Sequence, residues 1–287
     1  MKGKFLALID THFALSSNVR TGDYLDDLLT KFIWCIDYAN SHDLTITISG
    51  DVFDKPTVPD EVKSRVIEVM RLAKHKVLGI SGNHDRLYGS AEYHYRTSLN
   101  LLEQSGVFSL IDEPVEYEDC VLFSSRPMVN HPSGKPILNL YHGFLNQEDG
   151  LNTFELTDIF SDTNNIVVLG HDHTPHEPTH YKNTTVYRPG SFVRAIRNDS
   201  SARVPEALHI EFENNKPVVK TIPIEVAKPV ELLFKHKVLL QQKTTVSSYS
   251  EIVEMLKNEK KGVSLFEALQ QVSEPEIIAY IKQILEQ

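Results

Sequence analysis

The chain has 287 residues, with 29 lysines and arginines against 39 aspartates and glutamates, giving a net charge of −10. Apolar residues make up 41% and charged residues 24%, an ordinary soluble composition with length enough for one large domain and an appendage, or for two domains. The acidic balance argues against gripping nucleic acid by bulk charge alone, but it leaves room for an enzyme whose bound cations reverse the field locally. No apolar run is long enough for a membrane span. The opening MKGKFLALID is too short for a secretory core and reads as a first strand. Two widely separated cysteines, Cys35 and Cys120, have no metal-ligand spacing and fit a reducing, cytoplasmic setting.

In chain order, Phe5 to Ile9 predicts a buried strand. Leu25, Leu28, Leu29, Phe32, Ile33 and Ile36 recur at helical spacing and predict a helix over roughly residues 22–41. Leu44 to Ser49 reads as a strand. Val62, Val66, Val69 and Ala73 mark a second helix, with Pro59 near its start. Val77 to Ser81 is a third strand, and residues 91–105 read as helical. Further strands are expected at Cys120–Phe123, Ile137–Tyr141, Ile166–Gly170, Val186–Tyr187, Ala207–Phe212 and Val218–Ile222, the later ones joined by Asn/Pro turns. Strand-helix alternation followed by a run of strands predicts an α/β fold in which two sheets form a sandwich flanked by helices. The composition changes near residue 225, which divides the chain into a domain over 1–225 and a small helical region over 226–287. Ser248/Glu251, Ser264/Glu267 and Ser273/Glu276 each match a capping box there.

Five strands end in ligand-type residues. The blocks are Asp10-Thr11-His12, Gly50-Asp51-Val52-Phe53-Asp54, Gly82-Asn83-His84-Asp85, His142-Gly143 and Gly170-His171-Asp172-His173. In α/β folds the carboxyl ends of strands are where sites assemble. Histidine and aspartate without cysteine suit Mn, Fe or Zn. The set is too large for one tetrahedral ion, and two ions about 3.5–4 Å apart with a bridging carboxylate would use it all.

These blocks, in this order, resemble those of the calcineurin-like metallophosphoesterases, from residue 10 to residue 173. The resemblance implies a first metal held by Asp10, His12 and His173, a second held by Asn83, His142 and His171, and Asp51 bridging them. It implies two divalent ions, Mn²⁺ first, with Fe, Zn or Mg as alternatives. His84 is expected to face the substrate as acid or charge stabiliser, with Asp85 orienting it and Asp54 close to the metals in a nonligand role.

Within that family, protein phosphatases carry G-D-x-x-D-R-G and G-N-H-E. Here Lys55-Pro56 follow Asp54, and Asp85 stands in place of the glutamate. Gly50–Pro56, Arg20 and Asp23 after the first block, and the Tyr187–Arg194 segment around Pro189-Gly190-Ser191 instead resemble the nuclease subunit of SbcCD-type DNA-end-processing complexes, in a compact form similar to phage exonucleases. That resemblance covers residues 1–195. It implies a Mn-dependent DNA exonuclease or endonuclease in repair, recombination or replication, a coiled-coil SbcC-type ATPase partner (the 226–287 region being its docking segment or a cap) and a possible homodimer. Two other readings stay open: a small-molecule phosphodiesterase, and a DNA-end-binding scaffold with little chemistry. Arg20, Arg188, Ser191 and Arg194 are candidate DNA contacts, with solvated surface arginines as the alternative. Tyr88, Tyr93 and Tyr95 read first as helix-packing residues, with base stacking as the alternative. His176 and His180 read as loop residues that support the site.

Overall fold

The computed structural model describes residues 2–17, 19–124, 131–145, 153–154, 164–195 and 202–234. Contacts divide the chain after Lys235, and every described residue lies in the first unit. The expected capping boxes and almost all of 226–287 fall outside the described residues. Within 226–234 there is one 3-10 turn, Val230–Leu232.

Fourteen strands are described: β1 (Lys4–Leu8), β2 (Thr45–Ser49), β3 (Val77–Ile80), β4 (Phe108–Leu110), β5 (Val115–Glu116), β6 (Val121–Ser124), β7 (Ile137–His142), β8 (Phe144–Leu145), β9 (Thr153–Phe154), β10 (Asn165–Gly170), β11 (His176–Tyr181), β12 (Thr184–Arg188), β13 (Glu206–Glu213) and β14 (Lys216–Pro223). One mixed sheet runs β14-β13-β1-β2-β3-β4 and the other β11-β12-β10-β7-β6-β5, while β8 and β9 pair separately. β1 to β4 are parallel to one another, and so are β6, β7, β10 and β12. This is the two-sheet sandwich expected from the sequence.

The sandwich follows from strands that are apolar on both faces, as parallel strands covered on both sides must be. Phe5, Ala7 and Ile9 alternate with Leu6 and Leu8. The first set joins Leu138, Leu140, Ile166, Val168 and Ile210 in the core between the sheets. The second set joins Leu25, Leu28, Phe32 and Ile36 of helix α1 (Tyr24–His42) on the outer face of the first sheet. Helices α2 (Asp60–Met70) and α3 (Ser98–Gln104) cover the same face through Val62, Val66, Leu99 and Leu102. Each such side chain removed from water contributes roughly 1.5–3 kcal/mol.

Local rules set the element ends. The Asp23 carboxylate accepts from the Asp26 amide at 2.9 Å and starts α1. Asp43, at φ 58°, ends it. Asn214 and Asn215, both at positive φ, make the tight β13–β14 turn. The helix expected over 91–105 is broken. Residues Ala91–Arg96 are 3-10, and α3 starts only after Thr97, whose hydroxyl accepts from the Asn100 amide at 3.3 Å. A side-chain cap inside an apparent helical run restarts the hydrogen-bond ladder. Strand β11, His-Glu-Pro-Thr-His-Tyr, carries no apolar alternation and was not expected. It is an exposed edge strand recruited by its pairing with β12.

Gly79 in β3 leaves no room for a side chain. A Cβ there would stand 2.7 Å from the Ile48 carbonyl oxygen and 2.8 Å from the Phe108 ring. Gly79→Ala is expected to lower stability by about 1–3 kcal/mol, measured by urea unfolding in EDTA.

Candidate metal centre

The five sequence blocks meet at the carboxyl ends of parallel strands from both sheets. Asp10 and His12 follow β1, Asp51 follows β2, Asn83 follows β3, His142 ends β7, and His171 and His173 follow β10. Three groups of metal-ligand type converge: Asp10, His12 and His173; Asp51, His142 and His171; and His12, Asp51 and His84.

Asp51 sits between the first two groups. Its Oδ1 accepts the His84 backbone N–H at 2.8 Å. That leaves Oδ2, which stands 3.5 Å from His12 Nε2 and 3.3 Å from His142 Nε2. Gly50 and Gly82 allow this approach. A Cβ on Gly82 would run into the Asp51 carboxylate, and one on Gly50 into the His142 ring. Asp10 accepts the His171 amide on both oxygens, at 3.0 and 3.1 Å, tying the β1 end to the β10 end.

The donor set fits cations. His142 Nδ1 stands 3.0 Å from the Ser49 carbonyl, which can only accept, so that nitrogen carries the proton. Nε2 of the neutral ring is then a lone pair. It faces two acceptors, Asn83 Oδ1 at 3.0 Å and Asp51 Oδ2 at 3.3 Å, with His171 Nδ1 3.2 Å away. His12 Nε2 and His173 Nε2 stand 3.1 Å apart. Lone pairs gathered this closely call for positive charge among them. Asp10, His12, Asp51, Asn83, His142, His171 and His173 are the residues that could hold two divalent ions.

The same demand shows in the proton affinities. Burial raises the Asp10 pKa to about 6, against the pull of His142 and His12. Burial lowers the His173 pKa to about 4, helped by His12. Burial also opposes charge on His142 and Asp51, but their pairing outweighs it, leaving His142 at about 9 and Asp51 at about 2. The buried carboxylates and imidazoles thus share a demand for positive charge.

Backbone strain gathers here too. Asp10, His12, Asp51 and His171 all have positive φ, between 41° and 97°. Such conformations cost an L-residue energy and persist where surrounding contacts enforce them.

Four expectations need correction. Asp85 does not touch His84. It is buried, and its carboxylate accepts three backbone N–H groups, from Gly82, Val52 and Phe53, at 2.9–3.1 Å. It clasps the β2 and β3 loops together, and the His84 Nδ1 lies instead 2.7 Å from the Asp54 backbone carbonyl. The Asp54 carboxylate lies 3.6 Å from His12 Nδ1. Arg20, Ser191 and Arg194 are buried and are not surface DNA contacts. Arg20 pairs with Asp27 at 2.7 Å and donates to the Arg194 carbonyl, Ser191 donates to the Val193 carbonyl, and Arg194 donates to the Arg203 and Lys228 carbonyls. Arg188 is half-exposed and donates to Thr179. Tyr88 and Tyr95 are exposed and do not pack a helix. His176 and His180 lie on β11, and His176 pairs with Asp172 at 2.8 Å.

Sequence reasoning missed Lys31. It is fully buried, and its Nζ donates to the Phe192 carbonyl at 2.9 Å. The backbone of that segment pairs with the site: Ser191 N–H with the His173 carbonyl, Phe192 N–H with Ile9 and Val193 N–H with Asp10. Lys31 thereby anchors a strap that holds two ligand loops in register. The available signal was a charged residue on the apolar stripe of α1, between Leu28 and Phe32.

In the metal-free protein the His142 proton contributes stability. Its folded pKa of about 9 exceeds the ordinary 6.5, so the contribution is complete below pH 6.5 and is lost as pH rises through 9. Thermal midpoints in EDTA should therefore fall between pH 6.5 and 9.5. Saturating Mn²⁺ should remove most of that slope, because a cation replaces the proton. A flat EDTA profile would contradict this account of the site.

No helix among the described residues is long and apolar enough to cross a membrane. A search of curated proteins gives no match. Solved structures with a similar arrangement include the 5′-nucleotidase precursor of Thermus thermophilus, with TM-score 0.44 and 13% identity over 80% of this chain and 56% of that one. The 5′-nucleotidase of Candida albicans gives TM-score 0.43 and 13% identity over 82% and 51%. Vps29 of Entamoeba histolytica, solved with zinc, gives TM-score 0.38 and 12% identity over 77% and 99%. The chain spans about half the length of each of these two 5′-nucleotidases. The calcineurin-like phosphoesterase family model matches residues 3–204, most of the chain and all five ligand blocks. With that match, and with His and Asp clusters at the strand ends, the chain belongs to the calcineurin-like phosphoesterase family, whose fold points to metal-dependent phosphoester hydrolysis.

Proposed function

We propose that this protein is a Mn²⁺-dependent DNA nuclease that hydrolyses phosphodiester bonds and works with a coiled-coil ATPase. Its main support is the geometry at Asp51, whose free oxygen lies between the two imidazole groups while a histidine stands exposed beside it. The DNA assignment is supported by the Gly50–Pro56 and Tyr187–Arg194 segments, which resemble the SbcCD-type nuclease, and by the exposure of Asn83, His84 and Lys55 at one rim.

Asp10, His12, Asp51, Asn83, His142, His171 and His173 would hold two divalent ions, which when bound would supply positive charge for the phosphoryl oxygens and acidify water. The chain's own groups do the rest. The Asp54 carbonyl fixes the His84 proton on Nδ1, since a carbonyl only accepts. Nε2 is then the nitrogen available to a phosphoryl oxygen or to the leaving 3′-oxygen, as hydrogen-bond donor when the ring is protonated. The His84 amide meanwhile holds Asp51 in place, so one residue sets both the carboxylate and the imidazole. Asp85 keeps the two loops at fixed spacing through its three N–H contacts.

The test is turnover of bis-nitrophenyl phosphate and of end-labelled linear DNA with Mn²⁺, with EDTA as control. His84→Ala is expected to keep its metal and lose about 10²–10⁴-fold in kcat. Asp51→Asn should lose metal from both sites together, read by elemental analysis after gel filtration. An unchanged His84→Ala rate removes His84 from the chemistry. Diester turnover with intact DNA, in the presence of the ATPase partner as well as alone, would refute the DNA assignment and leave a small-molecule phosphodiesterase.

A further inference from the structure

We propose that Tyr88 and Tyr93 form a stacking platform for an unpaired nucleobase close to the scissile phosphate, an assignment that rests on the DNA reading above. The loop that begins at Asn83 and His84 continues as linked turns. Arg86 N–H meets the Asn83 carbonyl, Gly89 N–H the Arg86 carbonyl and Ser90 N–H the Leu87 carbonyl. Tyr88 sits in the middle of these turns at φ 55° and ψ 26°, a left-handed conformation unfavourable for a bulky L-residue. Its side chain gains little from folding in return, because the residue is 78% exposed. Its one described ring partner is Tyr93, edge-on at 5.5 Å and 88°. A strained backbone that presents an exposed aromatic ring beside a reactive site calls for a role outside packing.

The surroundings identify the occupant. Tyr95 is 67% exposed on the same loop. Arg96 and Lys55 are exposed, and Arg86 is half-buried, its Nε donating to Ser81 at 3.1 Å. The Ser98 amide bonds the Pro56 carbonyl at 2.7 Å, which ties the start of α3, two residues after Arg96, to the Lys55 loop. In a chain of net charge −10, this rim sets Lys55 and Arg96 beside aromatic faces, with the exposed Glu92 carboxylate among them. That combination binds the backbone and bases of a single strand. Tyr88 is four residues from His84, so their Cα atoms lie within about 14 Å, a few nucleotides at most.

The experiment compares wild-type protein, Tyr88→Asn and Tyr88→Phe. Binding of a fluorescent single-stranded oligonucleotide is followed by anisotropy in EDTA. Thermal midpoints and Mn²⁺-dependent turnover of bis-nitrophenyl phosphate are measured alongside. Asparagine suits the left-handed backbone, so Tyr88→Asn should raise the thermal midpoint while weakening oligonucleotide binding about tenfold. Tyr88→Phe should bind within about twofold of wild type, and diester turnover should be unchanged in both. Equal binding by Tyr88→Asn and wild type overturns the platform but leaves the DNA reading intact. Equal loss in Tyr88→Phe also overturns it, since the hydroxyl would then be the active group. Wild-type protein that turns over the diester but neither binds nor cuts DNA overturns both.

Discussion

The position of one carboxylate oxygen organises this molecule. Asp51 Oδ2 stands within 3.5 Å of imidazole nitrogens supplied by opposite sheets, His12 after β1 and His142 at the end of β7. Two sheets can share one oxygen only if their carboxyl edges meet, and the apolar core between them sets that meeting. Phe5, Ala7 and Ile9 on one side and Leu138, Leu140, Ile166 and Val168 on the other fix the sheet separation immediately behind the site. Hydrophobic burial therefore provides the force, and the ligand loops inherit its geometry.

That arrangement holds cost at the site and support beneath it. Four candidate ligands have left-handed backbones, buried carboxylates and imidazoles compete for few protons, and glycines stand where any side chain would collide. The support is equally specific. Asp85 clasps two loops, Asp10 is fixed by the His171 amide, and the Ser191–Val193 strap joins the His173 loop to the β1 end. Lys31 and Arg20 hold that strap from the α1 side. Burying these two cations is tolerable because the Lys31 ammonium meets the Phe192 carbonyl and the Arg20 guanidinium meets the Arg194 carbonyl and the Asp27 carboxylate.

The ligand inventory was legible in the sequence because each member follows an apolar run, and a strand's carboxyl end is a predictable place for a side chain to project. Asp85 was not legible. Its place next to His84 suggested an acid orienting an imidazole, but a buried carboxylate facing three backbone N–H groups is held by them first. The arginines of the strap were misread for a similar reason. Nothing next to Arg20 or Arg194 in the chain marks it as buried, and contacts from distant segments take both out of water: Arg20 meets the Arg194 carbonyl and the Phe234 ring, and Arg194 the Lys228 carbonyl. Tyr88 shows the converse. Its helical-looking surroundings suggested packing, and a left-handed turn leaves it exposed.

By itself the sequence determined the alternation of strands and helices, the two-sheet class and the set of residues able to bind metal. Local periodicity and residue chemistry suffice for these, because each is written within a few neighbouring positions. Tertiary structure alone decided which acceptors face each other, which nitrogen of His142 and of His84 keeps its proton, and which charged side chains serve as internal ties. Those outcomes depend on groups far apart in the chain, such as Ser49 with His142 and Lys31 with Phe192. Contacts of that range are set by how the sheets stack, which no local pattern encodes.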